Sequence, residues 1–300
     1  MDALKPQGGK QYLDCTIGGG GHAEAILAKS GPDGRLFGCD RDGEAIRIAQ
    51  ERLGGFSGRF ELKNIAFSEV GGWLPPRSID AALLDLGVSS MQLDNGDRGF
   101  SFQSDGPLDM RMDQRQSTTA ESLLAELSAG ELAKVFWEYG GERESRRIAA
   151  RIVEYRRNIP FKSTKQLADF VVKAKQNHNR RTHDATQVFM ALRIAVNDET
   201  GNVNKGLEAV WQTLKPGGLI AVISFHSLED RIVKEFGRIK ARPYTFSGPV
   251  DVPLLRQPRT PEGLILTRKA ILPRPEEVEV NPRSRSAQLR IFQKSHDSQS

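Results

Sequence analysis

Only two of the 300 residues are cysteine, Cys15 and Cys39. That scarcity excludes a disulfide framework and a cysteine-rich zinc site, and it makes the reducing cytoplasm the expected compartment. Histidine is sparse too: His22, His183 and His226 fall at no metal-ligand spacing, so no metal is expected. Long apolar runs are missing. The longest, Leu219 to Phe225, is about seven residues and is broken by Ser224, against roughly 20 for a membrane span, so no membrane is expected. The opening Met1-Asp2-Ala3-Leu4-Lys5-Pro6 holds no apolar run and does not read as a secretory signal. Nor is there a large excess of one charge: 43 Lys and Arg stand against 38 Asp and Glu, a net +5. That value is too small to name a partner by itself. What remains is ordinary globular material, 38% hydrophobic and 27% charged, long enough for one large domain or two.

The distribution of charge says more than its sum. Between Glu142 and Arg181 stand twelve basic and four acidic residues, a local +8, which leaves the rest of the chain at −3. A second basic cluster closes the chain: Arg268, Lys269, Arg274, Arg283, Arg285, Arg290 and Lys294. Such runs are often solvated helix faces. Two separate clusters in one chain point further, to a polyanionic partner whose phosphates they would neutralise.

Periodicity divides the chain. Up to residue 106, strand-like and helix-like segments alternate. Gln11 to Cys15 runs into a glycine cluster, and a helix from His22 to Ser30 carries Ala23, Ile26 and Leu27 on one face. Arg35 to Cys39 reads as a strand. A helix follows over Asp42 to Leu53, stopped by Gly54, then strands at Phe60 to Leu62 and Ile79 to Leu84. From 107 to 198 only helices are expected, with capping boxes at Ser128/Glu131 and Ser163/Gln166 and a helical stripe from Thr186 to Asn197. A helix over Lys205 to Leu214, the turn Lys215-Pro216-Gly217-Gly218 and strands at Leu219–Ser224, Leu264–Thr267 and Ala287–Phe292 return to the first pattern over 199–294, and 295–300 read as a disordered tail. The fold class this implies is α/β: a mostly parallel, Rossmann-like sheet interrupted by an all-helical insertion.

The strongest chemical motif is Asp14-Cys15-Thr16-Ile17-Gly18-Gly19-Gly20-Gly21-His22, set between a strand and a helix. Glycines there allow a sharp turn and close approach of a ligand to the main chain. Asp40 ends the next strand, where a carboxylate accepts hydrogen bonds from ribose hydroxyls. Together they describe a nucleoside cofactor at the C-terminal edge of the sheet. Gly18-x-Gly20-x-x-Ala23 also satisfies the dinucleotide fingerprint, which keeps an NAD-dependent oxidoreductase open. S-adenosylmethionine is favoured because Asp14 could hold the methionine's ammonium, because Lys215-Pro216-Gly217-Gly218 is typical of methyltransferase sheets, and by the order of strands and helices.

The acceptor side follows the fourth strand, in Asp85-Leu86-Gly87-Val88-Ser89-Ser90. Asp85 and the hydroxyls of Ser89 and Ser90 could accept hydrogen bonds from an exocyclic amine, and Asp85 is the candidate for aiming its lone pair. In the loop that follows, Phe100 and Phe102 either stack on a base or anchor the loop on the core.

These residues form longer motifs: Asp14-x-Thr16-x-Gly18-Gly19-Gly20-Gly21-His22; Asp85-Leu86-Gly87-Val88-Ser89-Ser90-x-Gln92-Leu93-Asp94; Gly106-Pro107-Leu108-Asp109-Met110-Arg111-Met112; Ser224-Phe225-His226-Ser227-Leu228-Glu229-Asp230-Arg231; and Asn281-Pro282-Arg283-Ser284-Arg285-Ser286-Ala287-x-Leu289-Arg290. Over essentially the whole chain they resemble the RsmH/MraW family of small-subunit ribosomal RNA methyltransferases. The resemblance implies a class I methyltransferase domain with a helical insertion, and S-adenosylmethionine-dependent N4-methylation of a cytidine in the decoding region of 16S rRNA. It implies cofactor contacts at Gly20, Gly21, His22, Asp40, Phe67, Asp85 and Gln92, beside Asp14 and Gly18 from the loop itself. The family usually carries a further segment with a His-x-Pro-Val-like stretch before the first strand, where this chain has about ten residues, and Ile17 is a mild variant of its loop. The RNA contacts are expected at Lys175, Arg180 and Arg181 of the insertion, helped by Arg283, Arg285 and Arg290. The other class of reading is a non-catalytic RNA-binding or ribosome-assembly protein that keeps the fold.

Overall fold

The structure, a computed structural model, describes residues 1, 3–178, 182–247 and 250–296. It divides into two compact units: residues 1–87 with 200–300, and residues 88–199.

The first unit opens with β1 (Gln11–Asp14), α1 (Gly21–Lys29), β2 (Arg35–Cys39), α2 (Gly43–Arg52), β3 (Phe60–Lys63) and β4 (Ile79–Asp85). The second contains α3 (Ser90–Asp94), α4 (Ala120–Glu126), α5 (Ala129–Glu138), α6 (Ser145–Tyr155), α7 (Thr164–Ala174) and α8 (Thr186–Asn197). The chain returns to the first through α9 (Glu199–Thr213), β5 (Leu214–Ser224), α10 (Ser227–Lys240), the small strands β6 (Tyr244–Phe246), β7 (Arg256–Pro258) and β8 (Gly263–Ile265), α11 (Pro275–Val280) and β9 (Gln288–Lys294).

The seven-stranded sheet has the order β3-β2-β1-β4-β5-β9-β8. The first five strands are parallel, and β9 runs antiparallel between β5 and β8. This is the class I methyltransferase arrangement. Its central strands are buried on both faces, and alternate residues serve different cores. Tyr12, Ala81, Leu83 and Ala221 pack with Ala23, Ile26 and Leu27 of α1 and Ala49 of α2. Leu13, Ala82, Leu84, Ile220 and Val222 pack on the other face with Val203, Leu207 and Val210 of α9 and Val233 of α10. That two-sided burial is why these strands read as short continuous apolar runs.

Two local expectations change. Helix α2 stops at Arg52 and residues 53–56 continue as a tight 3₁₀ turn, so Gly54 is not its cap. Lys215-Pro216-Gly217-Gly218 is not a turn ahead of β5 but an irregularity within it. Ile79 pairs with Leu214 and Ala81 already pairs with Leu219, so the extra residues bulge out around Gly217, whose φ is +76°.

The helical unit has its own core, with Leu132, Phe136, Ile148, Ile152, Leu167, Val171, Val188 and Leu192 fully buried. Ser128 and Glu131 form the expected capping box on α5. On α7 only half of the box forms: Ser163 accepts from the Gln166 amide, whereas the Gln166 carbonyl accepts from Lys162 N at 2.8 Å.

Helical packing begins at Val88, not at 107. Val88, Leu93, Phe100 and Phe102 all pack on the helical core, and Asn197 of α8 holds the incoming strand of chain by accepting from Met112 N (2.8 Å) and donating to Met110 O (2.7 Å). Phe100 is buried and Phe102 stacks edge-on to Phe189 at 4.9 Å, so both rings anchor their loop. At the other end of the chain Ser295 is tied down, its amide to Glu262 O and its hydroxyl to Pro261 O, against the expected disorder from 295 onward. Residues 297–300 lie outside the described ones. Among the described residues no helix is long and apolar enough to cross a membrane.

Candidate active site

Strands β1, β2 and β4 are neighbours in the sheet, and each ends in a carboxylate at the same edge: Asp14 and Asp85 close β1 and β4, and Asp40 follows β2. The glycine loop closes over this edge because the sequence lets it fold tightly. Gly18 and Gly20 take φ of +49° and +77°, values that side-chain-bearing residues reach only with strain. A Cβ on Gly20 would also stand 3.3 Å from the Ala49 backbone. Ile17 N donates to Cys39 O at 3.0 Å and Gly20 N to Ile17 O at 2.8 Å, so the loop is tied to β2 and to itself.

The carboxylates are organised by that loop. Asp40 Oδ2 accepts from Gly18 N at 3.0 Å and Oδ1 from Asp42 N at 2.9 Å. Each oxygen keeps a second lone pair for a ribose hydroxyl. Burial pushes the Asp40 carboxyl up, and these two amides draw it part of the way back. Asp14 Oδ1 accepts from Thr16 N, while its Oδ2 is buried without a partner. Burial raises the Asp14 carboxyl to about 7, against a smaller lowering effect of His22. Asp85 N donates to Thr16 Oγ1 at 2.7 Å; of the Asp85 carboxylate oxygens, Oδ2 lies 3.5 Å from His22 Nε2 and Oδ1 is buried without a partner. The hydrogen bond to Asp85 outweighs burial and raises the His22 imidazole above its usual value. Two buried, unpartnered carboxylate oxygens on adjacent strands are costly unless they meet a donor from outside the chain. A methionine ammonium fits the free Asp14 oxygen, and ribose hydroxyls fit the lone pairs that Asp40 keeps.

The remaining sequence candidates fall in different surroundings. Phe67 is buried, its ring seated where a Cβ on Gly206 would come within 2.0 Å of it. Ser89 caps α3, its hydroxyl accepting from Gln92 N at 3.2 Å, and the Gln92 side-chain oxygen accepts from Ser89 N at 3.0 Å. Ser90, the first residue of α3, is exposed.

Of the expected RNA contacts, two are corrected. The Lys175 side chain is only 6% exposed and lies between Glu142 (2.8 Å) and Asp184 (3.9 Å). Arg290 is buried and pairs with both carboxylate oxygens of Asp230, at 2.7 and 3.0 Å. Both serve internal ion pairs, one around the buried Glu142 carboxylate and one around the buried Arg290 guanidinium, because a buried charge requires a counter-charge. Arg283 and Arg285 are exposed. Arg180 and Arg181 lie outside the described residues.

Sequence reasoning missed the role of His226 and Phe225 beyond their motif. Phe225 lies 3.6 Å from where a Cβ on Gly87 would stand, beside the end of β4. Glu229 accepts from Phe225 N at 3.0 Å, and His226 Nδ1 accepts from Glu229 N and caps α10. Ser227 with Asp230 three residues on has the form of a capping box and could have revealed this helix, although the cap itself is His226, one residue earlier.

The model of the family described as "MraW methylase family" matches residues 1–295. A protein of Trichlorobacter lovleyi named "Ribosomal RNA small subunit methyltransferase H" is 48% identical over 299 residues, spanning 98% of this chain and 95% of its own length. One of the same name from Syntrophotalea carbinolica is 46% identical over 299 residues, with the same coverage. Among solved structures, a putative rRNA methylase from Clostridium thermocellum aligns over 97% of this chain and 92% of its own, with 13% identity and a TM-score of 0.43, a likeness too slight to bear on the site.

Proposed function

The chain belongs to the MraW methylase family, and from that premise we propose that it methylates the exocyclic N4 of a cytidine in the decoding region of 16S ribosomal RNA, in the cytoplasm and within the small ribosomal subunit. S-adenosylmethionine is the cofactor and supplies an electrophilic methyl group when bound. Its relatives' names refer to the small-subunit RNA, and family membership sets aside the NAD-dependent reading of the glycine loop.

The observation that carries the choice of an amine acceptor is the buried, unpartnered Asp85 Oδ1. Asp14, Asp40 and the loop of Gly18, Gly20 and Gly21 hold the cofactor, with His22, Phe67 and Gln92 as further contacts. Asp85 accepts a hydrogen bond from the amine, which leaves the lone pair directed at the methyl group. The acceptor nitrogen carries its own lone pair, which the hydrogen bond to Asp85 helps draw out of conjugation with the ring, so transfer is direct and needs no covalent step. The proton it sheds has Asp85 beside it and His22 3.5 Å behind. Ser89 and Ser90 lie four and five residues further along the chain and complete the acceptor segment.

Methylation at C5 would instead require a thiolate. Cys15 and Cys39 are both buried, and burial pushes the Cys15 thiol up, which disfavours the reactive form. Incubation with small subunits and isotopically labelled cofactor, followed by mass-spectrometric mapping, tests the assignment. One labelled methyl on the N4 of a single cytidine is expected. A methyl on carbon, on another base, or none would overturn it.

A further inference from the structure

Several cations of the +8 segment are committed to the fold. The Arg147 guanidinium donates to Ala174 O and that of Arg151 to Lys173 O, which satisfies the last carbonyls of α7. Arg156 donates to Leu124 O, and Lys175 is buried. Arg143 and Arg146 are different: both are exposed, with no side-chain partner among the described residues. They share the rim of a cavity of about 980 Å³ that lies wholly within the helical unit.

One wall of that cavity is a single face of α5. Gly130, Ala133, Lys134 and Trp137 recur at helical spacing. Trp137 is 59% exposed, which is unusual for the largest apolar side chain. One and two turns before it, Ala133 and Gly130 are small and also line the cavity, which leaves a slot alongside the indole. The segment Gln176–Asn177 also lines the cavity. Glu144 fixes it by accepting from both backbone amides, at 3.0 and 2.9 Å. Burial works against the ionised form of Glu144, but the amides of Asn177 and Gln176 outweigh it and hold the carboxyl below its usual range. Glu144, the one acid among the described residues that line the cavity, is thus occupied, while Lys134, Arg143, Arg146 and Arg147 line it with positive charge.

We propose that this cavity binds one unpaired nucleotide of the RNA substrate, its base stacked on Trp137 in the slot over Gly130 and Ala133 and its flanking phosphates on Arg143 and Arg146. An aromatic platform with cations beside it is the chemistry by which proteins hold single-stranded nucleic acid. It also matches RNA's habit of presenting unstacked bases in loops. An acidic protein segment would use the cations but not the slot. The inference rests on the reading of the chain as an RNA methyltransferase, and it adds a second point of contact for the same substrate.

The test uses the full chain, single-stranded oligoribonucleotides and a poly-glutamate peptide of matched charge. Wild-type protein should bind the RNA with quenching of tryptophan emission. Trp137→Ala should weaken binding roughly tenfold, within the range that stacking supplies, while Trp137→Phe should stay within about threefold of wild type. Replacing Arg143 and Arg146 together by Ala should flatten the slope of log affinity against log salt by about 1.4, at about 0.7 per phosphate on single strands. On small subunits, Trp137→Ala should raise the KM for RNA and leave S-adenosylhomocysteine affinity unchanged. RNA affinity unmoved by both Trp137→Ala and the arginine pair would overturn the pocket, as would tighter binding of poly-glutamate than of RNA. If wild type transfers no methyl to small subunits, the functional reading fails whatever the oligonucleotides do; if it transfers normally and Trp137→Ala matches it in KM, the pocket alone fails.

Discussion

At the residue scale, the most informative groups are those whose surroundings contradict their chemistry. Asp14 is a buried carboxyl with one oxygen unpartnered, raised from 3.8 to about 7. The folded chain therefore holds its proton more tightly than the unfolded chain does. The stability linked to Asp14 falls as pH rises from 3.8 to about 7 and is level beyond both values. Binding runs the other way, because an ammonium needs the ionised form. The affinity for S-adenosylhomocysteine should drop as pH falls below about 7, by up to roughly tenfold per unit, and binding near that pH should release a proton. Calorimetric titration from pH 7.5 to 5.5 checks this: Asp14→Asn should bind weakly with a flat profile, and a flat wild-type profile would remove Asp14 from the ammonium site. Asp85→Ala should leave the melting temperature nearly unchanged and lower kcat at least a hundredfold, the scale of lost positioning and proton-transfer effects. Turnover near wild type would end the role given to Asp85.

At the element scale, the strand-to-helix loop carries most of the cofactor chemistry, and its conformation depends on one or two glycines. Gly20→Ala forces a side chain onto a φ of +77° and sets a Cβ 3.3 Å from the Ala49 backbone. The backbone term alone costs about 1–2 kcal/mol. A modest loss of melting temperature is expected, together with at least a tenfold loss of S-adenosylhomocysteine affinity, because relief of the contact moves the loop amides. Equal affinity in the variant would mean that the loop backbone does not touch the ligand. What the sequence reveals about elements follows the same physics. Strands β1, β2 and β4 are legible as short apolar runs buried on both faces, and helices α1, α2 and α8 as stripes at helical spacing. Helix α10 carries the same signal, with Ile232, Val233 and Phe236 at helical spacing and Arg231, Lys234, Glu235 and Arg238 on the other face, and sequence reasoning missed it. The β6–β7 pair is harder to read: each strand has three residues, and Pro258 ends one of them. The acids at the strand ends are legible as candidates, but their burial is not. Nothing in the sequence distinguishes an Asp14 oxygen that lacks a partner from an Asp40 oxygen that has one.

At the scale of the whole molecule, counting charge overstates the surface available to RNA, since the sequence does not say which cations face inward. Lys175 and Arg290 each sit in a basic cluster, yet each neutralises a particular internal acid. Arg157 and Arg285 are exposed. The two kinds should separate cleanly on substitution. Lys175→Ala strands Glu142, which is itself buried, and breaking such a pair costs about 3–5 kcal/mol. For a unit of this size that is a fall of more than about 10 °C in melting temperature. Measured well below its transition, the variant should keep the wild-type salt dependence of RNA binding, because no phosphate contact is lost. Arg157→Ala and Arg285→Ala should do the reverse, with melting temperatures within about 2 °C of wild type and a slope flatter by about 0.7 for each phosphate given up. Thermal melts paired with binding isotherms at four or five salt concentrations measure both axes. A Lys175→Ala protein that melts like wild type and binds RNA with a flatter slope would return Lys175 to the surface and undo the division between structural and RNA-facing cations.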